Sequence, residues 1–320
     1  MTIEQLYRFA IEYGISQDPR GEEQVMAELK RNREEYRGLS AQKKKEYDAE
    51  KLTNPYSDSR ILYSGNHGKK NIRSIMVGVD METPELLLAD RLREKGKEID
   101  LVVAHHPEGQ SYVNFHEVMN MQSEILSKYG VPINVAEGLM EKRMQVVKRR
   151  VMPNNHFRPT DAARLLDIPF MNIHTPADNC VATYLQKLMD AEQPRFVDDV
   201  VKLLKKIPEY SNALLQYKGP SIISGAEKNR SGRVFVDMTG GTEGSEEIFD
   251  KLSSSGVGTI VGMHMSEAHY ENAKKYHINV VIAGHISSDT LGLYLLFNKV
   301  MKKFGTLTII PCSGYYYLKH

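Results

Sequence analysis

Residues 100–107 read Asp-Leu-Val-Val-Ala-His-His-Pro (DLVVAHHP). The apolar run is short and rich in β-branched residues, which predicts a buried strand over 100–105. Inside a regular strand neighbouring side chains point to opposite faces, so two core imidazoles at His105 and His106 would each need a separate partner. At a strand end just before Pro107 the backbone leaves the ladder, and both rings can turn toward one cleft. The pair then reads as a strand exit carrying ligands for two different metal ions.

The same rhythm extends in both directions. Strand-like runs occur at IMVGVD (75–80), PINVA (132–136), FMNIHT (170–175), RVFVDMT (233–239), TIVGMHM (259–265), NVVIAGH (279–285) and TLTIIPC (306–312). Helical stretches lie between them. One opens at Ser266-Glu267; another opens at Ser287-Ser288 and closes on Lys302, Lys303 and Gly305. Continuous apolar strands alternating with helices predict an α/β fold whose mainly parallel sheets are covered on both faces. Residues 191–218 carry no strand signal and read as a helical connector. It divides a first α/β lobe (66–190), with a helical insertion at about 112–155, from a second (219–320). Residues 1–65 are rich in Glu, Lys, Arg and Tyr and predict extra N-terminal helices at about 2–13, 21–36 and 40–51.

In an open parallel sheet ligands bind outside the carboxyl ends of the strands, and six of these ends carry His or Asp. Asp80 ends the first strand and His105-His106 the second. His174 and Asp178 follow FMNI, Asp237 ends RVFV, His264 ends TIVGM, and His285 and Asp289 follow NVVIAG. Taken singly, Asp80 and Asp237 are open between capping a helix and serving a site, and His264 between packing and chemistry. The pairs His174/Asp178 and His285/Asp289 both place an imidazole four residues before a carboxylate, a spacing that lets both converge across a strand-to-helix turn. Histidine and carboxylate ligands without thiolates suit Zn, Mn, Fe or Ni. The 240–244 turn (GGTEG) reads as a plain turn, with backbone N–H groups aimed at an anion as the weaker alternative. Cys180 reads as a small buried apolar residue, and Tyr315–Tyr317 as packing.

Composition bounds the rest. The chain has 320 residues, 41% hydrophobic and 26% charged, which excludes disordered and collagen-like classes. Its 42 basic and 41 acidic residues leave a net charge of +1, so no strong nucleic-acid signal is present. The run Lys142–Arg150 reads as a solvated helix face. Two cysteines exclude a disulfide framework and a thiolate zinc cage. No apolar run approaches the ~18 residues that a membrane span needs, and the amphipathic start is unlike a signal peptide. A soluble, cytoplasmic protein is expected. There is neither a P-loop nor a G-x-S-x-G nucleophile turn.

The succession VDMETPE (79–85), VVAHHPEG (102–109), NIHTPADN (172–179) and VVIAGHISSD (280–289) resembles the NGG-interacting-factor-three-like family, whose bacterial members are labelled GTP cyclohydrolase type 2 homologues. The resemblance covers residues 66–312. It implies two α/β lobes facing each other, two divalent ions between them held by His105, His106, Asp178, His285 and Asp289, and a homo-oligomer, a hexameric ring. His174 would sit beside the ligands as a proton-transfer group. Asp289 stands where the family pattern has Glu; being one methylene shorter, it is expected to bind one ion in place of bridging, or to bind through water. The segment 263–267 (MHMSE) replaces an acidic-centred motif and introduces His264.

The resemblance implies a metal-dependent hydrolase in which activated water attacks a purine nucleotide or a similar small molecule. His174 and His264 would move the proton, and Glu108 or Glu243 would read a guanine edge. Two other readings stay open: a metal-binding regulatory or interaction protein without turnover, and a dinuclear phosphoesterase or amidohydrolase.

Overall fold

The computed structural model describes residues 1–216 and 218–318. Residue 217, in the expected connector, and residues 319–320, at the end of the expected second lobe, lie outside that description. Three helices, α1 (Ile3–Ser16), α2 (Glu22–Gly38) and α3 (Ala41–Glu46), lead to strand β1 (Arg60–Tyr63). The first α/β unit follows with β2 (Ser74–Gly78), α4 (Thr83–Glu94), β3 (Leu101–Ala104), α5 (Gly109–Asn114), α6 (Asn120–Lys128), α7 (Ile133–Val151), α8 (Phe157–Leu165), β4 (Phe170–Asn172) and α9 (Thr175–Glu192). Helices α10 (Val197–Lys205) and α11 (Pro208–Gln216) fall where the connector was expected. The second unit contains β5 (Ser221–Ser224), β6 (Arg233–Asp237), α12 (Phe249–Ser254), β7 (Val257–Gly262), α13 (Glu267–Lys275), β8 (Asn279–Ile282), α14 (His285–Phe304) and β9 (Thr308–Cys312).

Two sheets form, ordered β1-β4-β3-β2-β9 and β5-β8-β7-β6. Each is parallel except for one antiparallel edge strand: β1 on β4 in the first, β5 on β8 in the second. Helices α9 and α14 each follow the strand beside that antiparallel edge, and they pack together between the sheets. Ala177 and Cys180 of α9, with Leu293 and Phe297 of α14, join the core of the first sheet. Val181 and Leu185 of α9, with Leu291 of α14, join Val234, Val261 and Val281 of the second. The helices touch closely at their N-terminal ends: a Cβ on Gly292 would lie 2.5 Å from the Ala177 carbonyl oxygen, so glycine is required there.

Three expectations need correction. The run 132–136 (PINVA) is not a strand. Pro132, at φ −56°, starts the 19-residue helix α7, whose buried face carries Ala136, Met140, Val147 and Val151. A short apolar run does not distinguish strand from buried helix, and proline suits a helix start. The strand at 306–312 does not belong with the second lobe: β9 pairs with β2 from Ser74↔Thr308 to Gly78↔Cys312. The 20-residue α14 spans about 30 Å, enough to carry the chain back across the molecule to the first sheet. The edge strands β1 and β5 went unread because each is four residues long and only half-buried along much of its length.

Candidate metal centre

The strand exits from both sheets meet at one place. His105 leaves β3 wholly buried; its Nδ1 lies 3.1 Å from the Ile173 carbonyl and donates to it, which leaves the Nε2 lone pair free. His106 turns the other way, and its Nδ1 donates to Asp80 Oδ1 at 2.6 Å. Asp80 therefore anchors an imidazole, and Glu82 is the residue before α4. Both rings of the pair have Nδ1 tied and Nε2 facing the cleft.

The carboxylates come from α9 and α14. In a helix residues i and i+4 share a face, so Asp178 sits one turn above His174, the residue before α9, and Asp289 one turn above His285, the first residue of α14. Asp178 Oδ1 lies 3.3 Å and Asp289 Oδ1 3.5 Å from His105 Nε2. The other oxygen, Asp289 Oδ2, lies 3.6 Å from His106 Nε2 and 3.4 Å from His285 Nε2, and those two nitrogens face each other at 3.2 Å. Two sets of three donors share Asp289, namely His105, Asp178, Asp289 and His106, His285, Asp289; a third grouping adds His174 to the same His105 and His106. The shorter Asp289 side chain was expected to reach only one ion. In the fold its two oxygens face different sets, because α14 enters deeply enough to leave the residue 1% exposed.

Four atoms of this cluster are buried and have no hydrogen-bond partner among the described residues: His105 Nε2, Asp178 Oδ1 and both oxygens of Asp289. Burying such atoms unpaired costs stability, and buried charges are ordinarily paired or bound to metal. Convergent orphaned donors of the oxygen and imidazole type fit divalent transition ions. Burial disfavours a charged His105 ring, but Asp289 and Asp178 more than offset it and raise its pKa well above the ordinary value, so an ion at Nε2 would replace a proton held there. Burial alone would raise the Asp289 carboxyl, but His105, His285 and His106 hold it down at about 2. Burial together with the neighbouring histidines His106, His264 and His105 keeps the His285 ring below its ordinary value, despite Asp289.

His174 stands beside the ligands, its ring 4.9 Å from that of His105 and its Nε2 3.7 Å from Asp178 Oδ2. Its Nδ1 donates to Asp58 Oδ2 at 2.8 Å, Thr175 Oγ1 donates to the same oxygen at 2.6 Å, and the His174 N–H is received by Ser59 Oγ at 2.9 Å. Burial disfavours the charged ring, yet Asp178 and Asp58 more than offset it and raise its pKa. Asp58 is wholly buried and comes from the N-terminal segment, for which the sequence suggested no role. Its signal, a lone Asp in an irregular stretch, was indistinguishable from a turn residue. The segment is tied in further by Asp18, Tyr56 and Gly14, which surround Asn179, the neighbour of Asp178.

His264 lies one ring further out, 5.0 Å from His285, with Nδ1 3.2 Å from Glu243 Oε1. It belongs to neither donor set. Glu243 also accepts from the Ser266 N–H at 2.7 Å. The 240–244 turn is clamped from behind by the helical insertion: Gln122 donates to the Gly240 and Thr242 carbonyls, and Arg143 to that of Glu243. Glu108 stays apart, near Asp80, Glu82 and Glu85. Burial, and after it those neighbours, raise its carboxyl to about 8. Cys180 is buried as expected, its Sγ 3.2 Å from the Pro176 carbonyl. Tyr315 is buried, and Tyr316 donates to the Glu209 carbonyl.

No helix among the described residues is long and apolar enough to cross a membrane. The chain matches no protein-family model and no curated protein. Among solved structures it is similar to a NIF3 superfamily protein from Sphaerobacter thermophilus, with 23% identity, 98% of each chain covered and a TM-score of 0.73. It is also similar to reduced HcgD from Methanocaldococcus jannaschii, with 16% identity, 80% of this chain and 89% of that one covered and a TM-score of 0.50. Two sheets with an antiparallel edge each, joined by two central helices whose N-terminal ends carry the carboxylates, thus give this chain the fold of the NIF3 superfamily, in line with the resemblance of its motifs.

Proposed function

We propose that this protein is a metal-dependent hydrolase of a small molecule, with His105, Asp178 and Asp289 holding one divalent ion and His106, His285 and Asp289 a second. The observation that carries the reading is the set of four buried donor atoms without hydrogen-bond partners among the described residues, beside a cavity lined by His174, Asp178, His264, His285 and Asp289. The chemistry two such ions supply when bound is Lewis acidity, which lowers the pKa of water and polarises an electrophile.

The chain's own residues do the rest. The Ile173 carbonyl and Asp80 hold His105 and His106 in the tautomer that keeps Nε2 free. Asp58 holds the proton on His174 Nδ1, so Nε2 is the nitrogen that takes up or releases a proton, and it faces Asp178. Glu243 orients His264 in the same way at the far side of the cavity. The two imidazoles thus flank the cleft, each backed by a carboxylate, as a general acid and base require. Burial of His105, Asp178 and Asp289 keeps bulk water from the ligands.

An exchangeable water at the centre separates a hydrolase from a closed, structural metal site. Manganese-loaded protein is expected to enhance the relaxation of solvent water protons, and the enhancement should fall in His106→Ala and vanish in Asp289→Ala. A loaded centre with no exchangeable water would overturn the hydrolase reading.

A further inference from the structure

The cavity beside the donor cluster has two ends of different character. One end is the metal-facing set. The other is built by Asp237 from the end of β6, Glu243 and Thr239 from the turn after it, and Phe249, Met263 and His264. No lysine or arginine is among the cavity's described lining residues. Basic side chains lie outside it: Arg143 donates to the Glu243 carbonyl, and Lys142 pairs with Glu247. Lys128, Lys187 and Arg233 border a separate cavity that Asp237 also lines, where Lys128 donates to the Pro19 carbonyl and Arg233 to the Tyr129 and Lys128 carbonyls. Asp237 makes no side-chain hydrogen bond or ion pair among the described residues, is exposed, and lies within electrostatic reach of Glu243. Glu243 Oε1 is taken by Ser266 and His264, while its Oε2 comes only within 3.7 Å of His269 Nδ1.

Two divalent ions would place positive charge at the inner end, where Asp178 and Asp289 answer it. They leave Asp237 as the unpaired charge of the outer end among the described residues, because Glu243 is shared between His264 and the Ser266 N–H. An anionic tail there would meet the Asp237 carboxylate with no lysine or arginine among the cavity's described lining residues to receive it, an arrangement that selects against such ligands. Volume points the same way: the cavity measures about 90 Å³, well below the ~300–1,000 Å³ of pockets that enclose drug-sized ligands.

We infer that the outer end of this cavity binds a cationic or N–H-rich group, so that the substrate is a small molecule with its reacting end toward the donor cluster and a guanidinium, amidine, ureido or amino-heterocyclic end toward Asp237 and Glu243. A nucleoside polyphosphate does not meet that description. The inference rests on the metal-dependent reading for its inner end, and on Asp237 and Glu243 alone for its outer end.

The test is a titration of zinc-loaded protein with three small carboxylates that share a metal-seeking end and differ at the other. Guanidinoacetate carries a cation, N-carbamoylglycine a neutral N–H donor group of the same shape, and glutarate an anion. Guanidinoacetate is expected to bind at least about tenfold tighter than glutarate, with N-carbamoylglycine between them, since a charge-assisted hydrogen bond is worth at least about that factor. In Asp237→Asn the guanidinoacetate affinity should fall about tenfold while glutarate is not weakened. Glutarate binding as tightly as guanidinoacetate, or an order unchanged in Asp237→Asn, would overturn the proposal. Removing the zinc separates the two readings. Affinities that ignore the metal contradict the inner, metal-held end, whereas the order of the three ligands still decides the outer one.

Discussion

Replacing Asp58 tests whether the N-terminal segment is part of the site. One wholly buried oxygen, Asp58 Oδ2, accepts from His174 Nδ1 at 2.8 Å and from Thr175 Oγ1 at 2.6 Å. Asp58→Ala strands both donors away from water, at about 1–3 kcal/mol each, so a loss of about 4 kcal/mol is expected. Asp58→Asn keeps the shape and one acceptor, and about 2 kcal/mol is expected. Urea unfolding read by circular dichroism measures both. Stability alone would not separate positioning from packing, so the second readout is the nitrogen NMR spectrum of His174. In the wild type Nδ1 stays protonated; in Asp58→Asn the proton should redistribute between the two nitrogens. The reasoning is refuted if Asp58→Ala unfolds within about 0.5 kcal/mol of the wild type, or if the His174 tautomer is unchanged in Asp58→Asn.

Acid stability should report Glu243. Burial would raise its carboxyl, but the hydrogen bond from His264, the His269 and His264 charges and the Ser266 N–H bring it down to about 2. A carboxyl depressed in the folded state stabilises above its unfolded pKa of ~4.3 and loses that contribution as pH falls toward about 2. Glu243→Gln should therefore be less stable at pH 6, by up to about 3 kcal/mol, with a shallower decline between pH 5 and 2; parallel profiles in pH-dependent unfolding would contradict this. Gly292→Ala should cost about 1–3 kcal/mol, because the new methyl would press on the Ala177 carbonyl where α9 and α14 touch; an unchanged melting temperature would count against that close approach. In Asp178→Ala the set formed by His106, His285 and Asp289 is intact, so one metal ion should remain by elemental analysis, and loss of both would contradict two separable donor sets.

The meeting place of the His and Asp side chains was legible from the strand exits, while the choice of five among them came from the family resemblance. His105, His106, Asp178, His285 and Asp289 all converge, because a parallel sheet sends its carboxyl ends to one edge and a helix puts i and i+4 on one face. Local patterning does not report where a chain goes next. That is why β9 was read with the wrong lobe, and why PINVA, with the apolarity of a strand, opens a helix. Partners from remote segments were equally invisible: nothing in YSDSR at 56–60 ties Asp58 to His174, 116 residues later. The placement of Asp289 is a tertiary outcome too: the depth of α14 decides that its two oxygens face different histidines, Oδ1 toward His105 and Oδ2 toward His106 and His285.

The central claim is that five residues in two sets hold two ions through a shared Asp289. Elemental analysis of protein loaded with Zn, Mn, Fe or Ni and then freed of excess metal, beside Asp289→Ala, addresses it directly. The account predicts about two equivalents per chain in the wild type and no firmly held metal in a folded Asp289→Ala variant. A wild type that retains none of the four metals, or an Asp289→Ala variant that still retains two equivalents, would contradict it.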